Sequence, residues 1–179
     1  SGIVQVAAQN GHQVVLVDLN EQILNKSKHQ LDKIMNRLVE KERITQEQAN
    51  HTRSNIHYSQ DIHDFAKCGI VIEAIIENLE IKSKVFAQLE QITPKGCILA
   101  SNTSSLSIAS IGSVLEDPSK MIGIHFFNPA PLMPLVEIIP AVQTSSTTLK
   151  QARDLIDDWK KITVVCKDTP GFIVNRVAR

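Results

Sequence analysis

The chain has 179 residues, with 19 Lys and Arg against 19 Asp and Glu, and so carries no formal net charge. With 42% hydrophobic and 21% charged residues, its composition excludes disordered, collagen-like and low-complexity chains. The neutral balance argues against a nucleic-acid or membrane-surface protein, which normally shows a basic excess. No apolar run reaches the ~20 residues that a bilayer requires. Cys68, Cys97 and Cys166 form no CxxC or Cys/His cluster and read as buried free thiols. The six histidines are scattered without ligand spacing, so no metal site is expected.

In chain order, residues 3–9 read as a short apolar helix, closed by Asn10-Gly11, where glycine suits a left-handed cap. His12 to Asp18 is β-branched and almost wholly apolar, the pattern of a strand buried on both faces. Asn20 can cap a long amphipathic helix whose apolar positions are Ile23, Leu24, Leu31, Ile34, Met35 and Leu38. Thr45 and Gln48 have capping-box spacing for a second helix. A short strand follows at 56–59, and Asp61 can cap the turn before Cys68. Gly69 to Ile76 reads as another buried strand, 78–92 as a helix, and Cys97 to Ala100 as a third buried strand running into the polar segment 101–105. A short helix near 106–112 precedes strands at 121–126 and 135–139, which a Pro-rich loop separates. A helix at 145–161, a strand at 162–166 and a helical segment opened by Pro170-Gly171 complete the chain.

Strands alternating with helices predict an α/β fold with a doubly wound, mostly parallel sheet. Ligands in such sheets bind beyond the carboxyl ends of the strands, so the polar residues just after each strand are the candidates. Asp18 ends the first strand. An acid there either holds adenosine-ribose hydroxyls, favouring NAD over NADP, or serves as a turn or helix-cap residue. The segment Ser101-Asn102-Thr103-Ser104-Ser105 either presents Asn102 and Ser104 to a ligand or is a plain polar loop. His125 and Glu137 are polar groups inside apolar strands, where an unpaired charge is expensive. Adjacent strands would join them as a base and its orienting carboxylate, or as a buried structural pair. Asn175 either faces the site or bonds backbone within a helix.

Four stretches together resemble the L-3-hydroxyacyl-CoA dehydrogenase family. They are EAIIENLEIK (73–82), SNTSSL (101–106), HFFNPAPLMPLVEII (125–139) and KDTPGFIVNR (167–176). The resemblance runs along essentially the whole chain. It implies a Rossmann-like NAD-binding domain over 1–168, with 169–179 opening an all-helical dimerisation domain. It further implies oxidation of 3-hydroxyacyl-CoA to 3-ketoacyl-CoA, with His125 as base and Glu137 as its partner. Ser104 then contacts substrate oxygen and cofactor, Asn175 positions the substrate, and Asn128 lies at the nicotinamide end. Asp18 matches the ribose acid, and Glu77, Lys82 and Asn102 match residues lining the NAD site. Lys41 corresponds to a lysine near the CoA phosphates.

The family's first strand and G-x-G-x-x-G loop are expected before Ser1, with Gly2 a remnant on the following helix. The implied partners are a 3-hydroxyacyl-CoA and a second copy of the chain, with no nucleic acid or membrane. The implied compartment is the bacterial cytoplasm or the mitochondrial matrix. Rival readings are a non-catalytic member of the family, a piece of a multifunctional β-oxidation protein, and a β-hydroxyacid dehydrogenase acting without CoA. The last usually employs a catalytic lysine, where this chain has the His–Glu pair.

Overall fold

The computed structural model describes residues 2–177. They form two compact units, one of residues up to Asp64 together with Asn128–Leu132, the other of Phe65–Phe127 and the residues from Met133 onward.

In the first unit, α1 (Gly2–Gln9) ends at Gly11, whose φ of 85° is the left-handed conformation that glycine adopts without strain. β1 (Val14–Val17) pairs in parallel with β2 (Ile56–Ser59). All four β1 residues are half-buried, in contrast to the expected burial on both faces, because β2 is its one hydrogen-bonded neighbour among the described residues. Between the strands lie α2 (Glu21–Glu40) and α3 (Gln46–Ser54). Asn20 caps α2 by accepting from the Gln22 amide, and Thr45 with Gln48 forms the reciprocal capping box. Leu24, Leu31 and Met35 are buried, whereas Ile23 and Ile34 are exposed. The buried stripe of α2 is thus narrower than the apolar pattern suggested. Leu31 and Met35 pack with Ala8, Ala49 and Ile56 into the unit's core.

The second unit is a five-stranded sheet in the order β3-β4-β5-β6-β7, formed by Ile70–Glu73, Ile98–Ser101, Met121–Phe126, Leu135–Pro140 and Ile162–Val165. β3, β4 and β5 run parallel, as do β6 and β7, but β5 and β6 are antiparallel. The physical reason is the connection. Residues 127–134 contain no helix and are too short for the crossover of about a dozen residues that parallel neighbours need. The sheet is therefore mixed at this pair within a mostly parallel α/β, Rossmann-like fold.

α4 (Leu79–Ile92), α5 (Ile108–Gly112) and α6 (Ser146–Asp158) are the unit's longer helical segments. α5 seats on β5, where a Cβ at Gly123 would lie 2.8 Å from Ile108 Cδ1 and 2.9 Å from Ile139 Cβ. Only glycine allows that approach. Ile108, Ile111, Ile122, Ile124, Ile138 and Ile139 are fully buried. Each contributes about 1.5–3 kcal/mol, so this core outweighs the ~1 kcal/mol of any single hydrogen bond at its rim.

β3 ends at Glu73, short of the expected Ile76, and Ile75 and Ile76 are exposed. The Glu73 carboxylate captures the Ile75 amide at 2.6 Å and turns the chain out of the sheet. The last helix, α7 (Val174–Val177), starts after the turn at 169–173. Residues 169–177 cluster with this unit, and the Glu137 carboxylate holds the Ile173 and Val174 amides. Cys97 and Cys166 are buried, but Cys68 is only partly so.

Candidate active site

The site assembles at the ends of β3, β4, β5 and β6 in the second unit. The antiparallel register sets His125 directly opposite Glu137, so both side chains leave the sheet on the same side. His125 Nδ1 lies 2.8 Å from Glu137 Oε2, and the side chains are 8% and 1% exposed. The second carboxylate oxygen is also occupied. Glu137 Oε1 accepts the amides of Ile173 and Val174 at 3.0 and 2.9 Å, where α7 begins. A carboxylate only accepts hydrogen bonds, so the Nδ1–H tautomer fits this contact, and that tautomer carries its free lone pair on Nε2. Nε2 has no hydrogen-bond partner among the described residues, which a purely structural pair does not require. Phe127 and Phe172 flank the imidazole, with ring centroids 4.6 and 5.8 Å away, and make its surroundings apolar. Burial and the adjacent Glu137 carboxylate push the Cys166 thiol up to about 11, so Cys166 stands beside the dyad as a neutral thiol.

The polar segment after β4 is held by two carboxylates. Ser101 donates to Glu73 Oε2 at 2.7 Å. Glu77 Oε1 accepts from the Thr103 hydroxyl, the Ser104 amide at 3.2 Å and the Ser105 hydroxyl at 2.9 Å. Burial works to raise the Glu77 carboxyl, but these hydrogen bonds and the Lys82 charge outweigh it and hold it below the usual carboxylate range. Asn102 Oδ1 accepts the Phe126 amide at 2.9 Å, tying the loop to the residue after His125. The Ser104 side chain is exposed, and its hydroxyl has no partner among the described residues. Asn175 Nδ2 approaches the Ser104 carbonyl at 3.4 Å, so the start of α7 and the serine loop adjoin.

Lys82 does not line an open cavity. Its side chain is 1% exposed, and its ammonium is spent on Glu73 at 2.6 Å and Glu77 at 3.4 Å. Lys82, expected among the residues lining the cofactor site, is thus buried behind Glu77. Asn102 likewise spends its carbonyl oxygen on backbone.

Asp168 is a further organiser that the sequence reading missed. Its carboxylate accepts from Ser107 Oγ and from the Ile108 and Ala109 amides, all at 2.8–2.9 Å, and so caps α5. It fixes the 167–176 segment against the helix that follows the serine loop. Glu73 was also missed, although the signal existed: an acid inside the apolar run GIVIEAII is the same anomaly that singled out Glu137.

Asp18, Lys41 and Asn128 belong to the first unit. Asp18 Oδ1 accepts the Asn20 amide at 2.9 Å in a turn at the carboxyl end of β1, and the side chain is half-exposed. Lys41 caps the carboxyl end of α2 and lines a groove of about 510 Å³ along it. Lys33, Arg37 and Lys41, four residues apart, line that groove together with the acids Asp32 and Glu40. The Asn128–Pro129 peptide bond is cis. Among the described residues no group of three or more His, Cys, Asp or Glu could hold a metal ion, and no helix is long and apolar enough to cross a membrane.

Residues 1–169 match the family model described as "3-hydroxyacyl-CoA dehydrogenase, NAD binding domain". The chain is 41% identical over its whole length to 3-hydroxyadipyl-CoA dehydrogenase of Escherichia coli, covering 38% of that protein. It is 42% identical to a probable 3-hydroxybutyryl-CoA dehydrogenase of Deinococcus radiodurans, with 98% of this chain and 63% of that one aligned. It is 37% identical to the fatty acid oxidation complex subunit alpha of a Psychrobacter strain, with 98% of this chain covering 24% of that protein. Among solved structures, 3-hydroxybutyryl-CoA dehydrogenase from Escherichia coli superposes with a TM-score of 0.98 at 41% identity, over 99% of this chain and 38% of that one. (S)-3-hydroxybutyryl-CoA dehydrogenase PaaH1 from Ralstonia eutropha superposes with a TM-score of 0.96 at 37% identity, over 99% and 62%. The chain thus spans less than two thirds of the length of these relatives. By sequence and by fold, it belongs to the 3-hydroxyacyl-CoA dehydrogenase family and corresponds to its NAD-binding domain.

Proposed function

We propose that the protein containing this chain oxidises (S)-3-hydroxyacyl-CoA esters to 3-ketoacyl-CoA, in fatty-acid β-oxidation or in acetoacetyl-CoA and 3-hydroxybutyryl-CoA metabolism. The observation that carries the reading is the dyad: a buried imidazole whose Nδ1 is held at 2.8 Å by a carboxylate and whose Nε2 is unpartnered. His125 Nε2 takes the proton of the 3-hydroxyl, and Glu137 stabilises the imidazolium as it forms. Phe127 and Phe172 keep water from the imidazole, which strengthens that charge interaction. The exposed Ser104 hydroxyl is available to the substrate oxygen, and Asn175 beside it positions the acyl group.

NAD is the cofactor that the family implies. In this reading Asp18 holds the adenosine ribose, Glu77, Ser104 and Asn128 serve the nicotinamide side, and Asn102 and Lys82 support them. When bound, NAD+ supplies the acceptor for the C3 hydride. The half-exposed Asp18 carboxylate at a strand's carboxyl end suits ribose hydroxyls and repels a 2′-phosphate. Lys41 and the basic ridge of α2 serve the CoA phosphates. A homodimer and a cytoplasmic or mitochondrial setting belong to the same reading. The short share of the fatty acid oxidation subunit that this chain covers favours a second reading, in which the domain is one part of a multifunctional β-oxidation protein.

Oxidation of 3-hydroxybutyryl-CoA by the full-length polypeptide, followed through NADH absorbance, tests the proposal. His125→Gln is expected to lower kcat by about 10²–10⁴-fold, the usual contribution of a general base. A rate within a few-fold of the parent would remove His125 as the base.

A further inference from the structure

We infer that Glu73, buried at the end of β3, is a positioning residue that sets the Ser104 loop through Lys82 and Glu77. The inference rests on the proposed oxidation and gives Glu73 a role in that site. Glu73 is buried at the end of β3, with a side chain 2% exposed. One oxygen accepts from Lys82 Nζ and the Ile75 amide, both at 2.6 Å, and the other accepts from Ser101 Oγ at 2.7 Å. Ser101 is the root of the serine loop, and its oxygen in turn accepts the Thr103 amide at 3.2 Å.

Lys82 joins this buried carboxylate to Glu77, the partly exposed carboxylate that collects Thr103, Ser104 and Ser105. The loop is thus clamped at its root by Glu73 and at its tip by Glu77, with one ammonium between the two. Two carboxylates share one buried cation. Removing the Glu73 charge leaves Lys82 a single carboxylate partner, and the ammonium is drawn toward Glu77. Glu77 is the acceptor for the Ser104 amide, so this shift reaches the residue whose hydroxyl stands free beside Asn175. A structural pair serving only to neutralise Lys82 would not need Glu73 to hold Ser101 as well.

The test uses the full-length polypeptide, NAD+ and 3-hydroxybutyryl-CoA. Glu73→Gln keeps the shape and removes the charge. It is expected to lower kcat about tenfold or more and to raise the KM for NAD+ several-fold, with the KM for the acyl-CoA changed by less than about twofold. Amide hydrogen exchange at Ser104 should quicken by about tenfold. The double variant Glu73→Gln/Lys82→Met should be no slower than the worse single variant, because the groups act as one unit. A merely structural role would lower Tm and leave kcat of the folded enzyme alone. Folded Glu73→Gln with kcat and NAD+ KM within about twofold of the parent overturns the inference, as does unchanged exchange at Ser104. If Glu73→Gln does not fold, Ser101→Ala replaces it, since it removes one hydrogen bond and keeps the ion pair. Unchanged kcat and Ser104 exchange in that variant are equally fatal. A parent protein that binds NADH but does not oxidise the ester overturns the proposed function, and the exchange measurement still decides the role of Glu73.

Discussion

Glu137→Gln is the most informative single perturbation of the dyad. The carboxylate sits between two kinds of partner: His125 Nδ1 on Oε2, and the Ile173 and Val174 amides on Oε1. A glutamine has one oxygen and one NH2 for these two places. Two backbone amides can only donate, so the oxygen turns to them and the NH2 turns to the imidazole. Nδ1 then becomes an acceptor, the proton moves to Nε2, and the proposed base loses its free lone pair. The loss expected from the wrong tautomer is about 10³–10⁴-fold in kcat, near the top of the range for general-base catalysis. The stability cost is smaller. Three charge-assisted hydrogen bonds become neutral ones, which costs about 1–3 kcal/mol in total and lowers Tm by roughly 2–12 °C for a chain of this size. Glu137→Ala leaves Nδ1 free to choose its tautomer but strips both amides of their acceptor. It should therefore be less stable than the glutamine variant and yet more active. The assay is steady-state turnover of 3-hydroxybutyryl-CoA with Tm measured on the same samples. A glutamine variant at least as active as the alanine variant would refute the tautomer argument.

Asp168→Ala removes the acceptor of three donors at the start of α5 and is expected to cost about 1–3 kcal/mol in urea unfolding, with Asp168→Asn recovering part of it. A cost below about 0.5 kcal/mol would show that the cap is dispensable. Gly123→Ala drives a methyl into Ile108 and Ile139 and should cost about 1–3 kcal/mol, with Ile108→Val in the same chain restoring part of the loss. The Cys166 thiol, pushed up to about 11 from the usual 9.0, ionises more readily in the unfolded chain. Its contribution to stability is whole below pH 9 and is lost as pH rises toward 11. Denaturation midpoints should fall across that window, and Cys166→Ala should flatten the fall. An identical pH dependence in the two proteins would contradict the assignment.

Most elements were legible because their determinants are local. Asn20 and Thr45 with Gln48 announce helices through hydrogen bonds made within three residues. The strands β4 and β5 are mostly apolar, and their full burial agrees with that pattern. The His125–Glu137 contact was anticipated from the cost of a lone charge in an apolar strand. The end of β3 was misjudged because the residue that turns the chain, Glu73, is stabilised by Lys82 and Ser101 from elsewhere in the fold. The exposure of Ile23 and Ile34 escaped notice because periodicity marks apolar positions without saying how wide a partner surface they meet.

By itself, then, the sequence determined the alternation of strands and helices, the helix caps, the family and the residues with unusual chemistry for their surroundings. The alternation, caps and unusual residues depend on neighbours within a few positions, and the family on several stretches along the chain. Only the tertiary structure decided how each charge is spent. Glu137 divides its oxygens between an imidazole and two amides 36 and 37 residues away, Lys82 is consumed by carboxylates, and Asp168 caps a helix 60 residues earlier in the chain. A hydrogen bond depends on distance and direction between atoms, and for partners so far apart in sequence those are set only when the sheet brings its strands together.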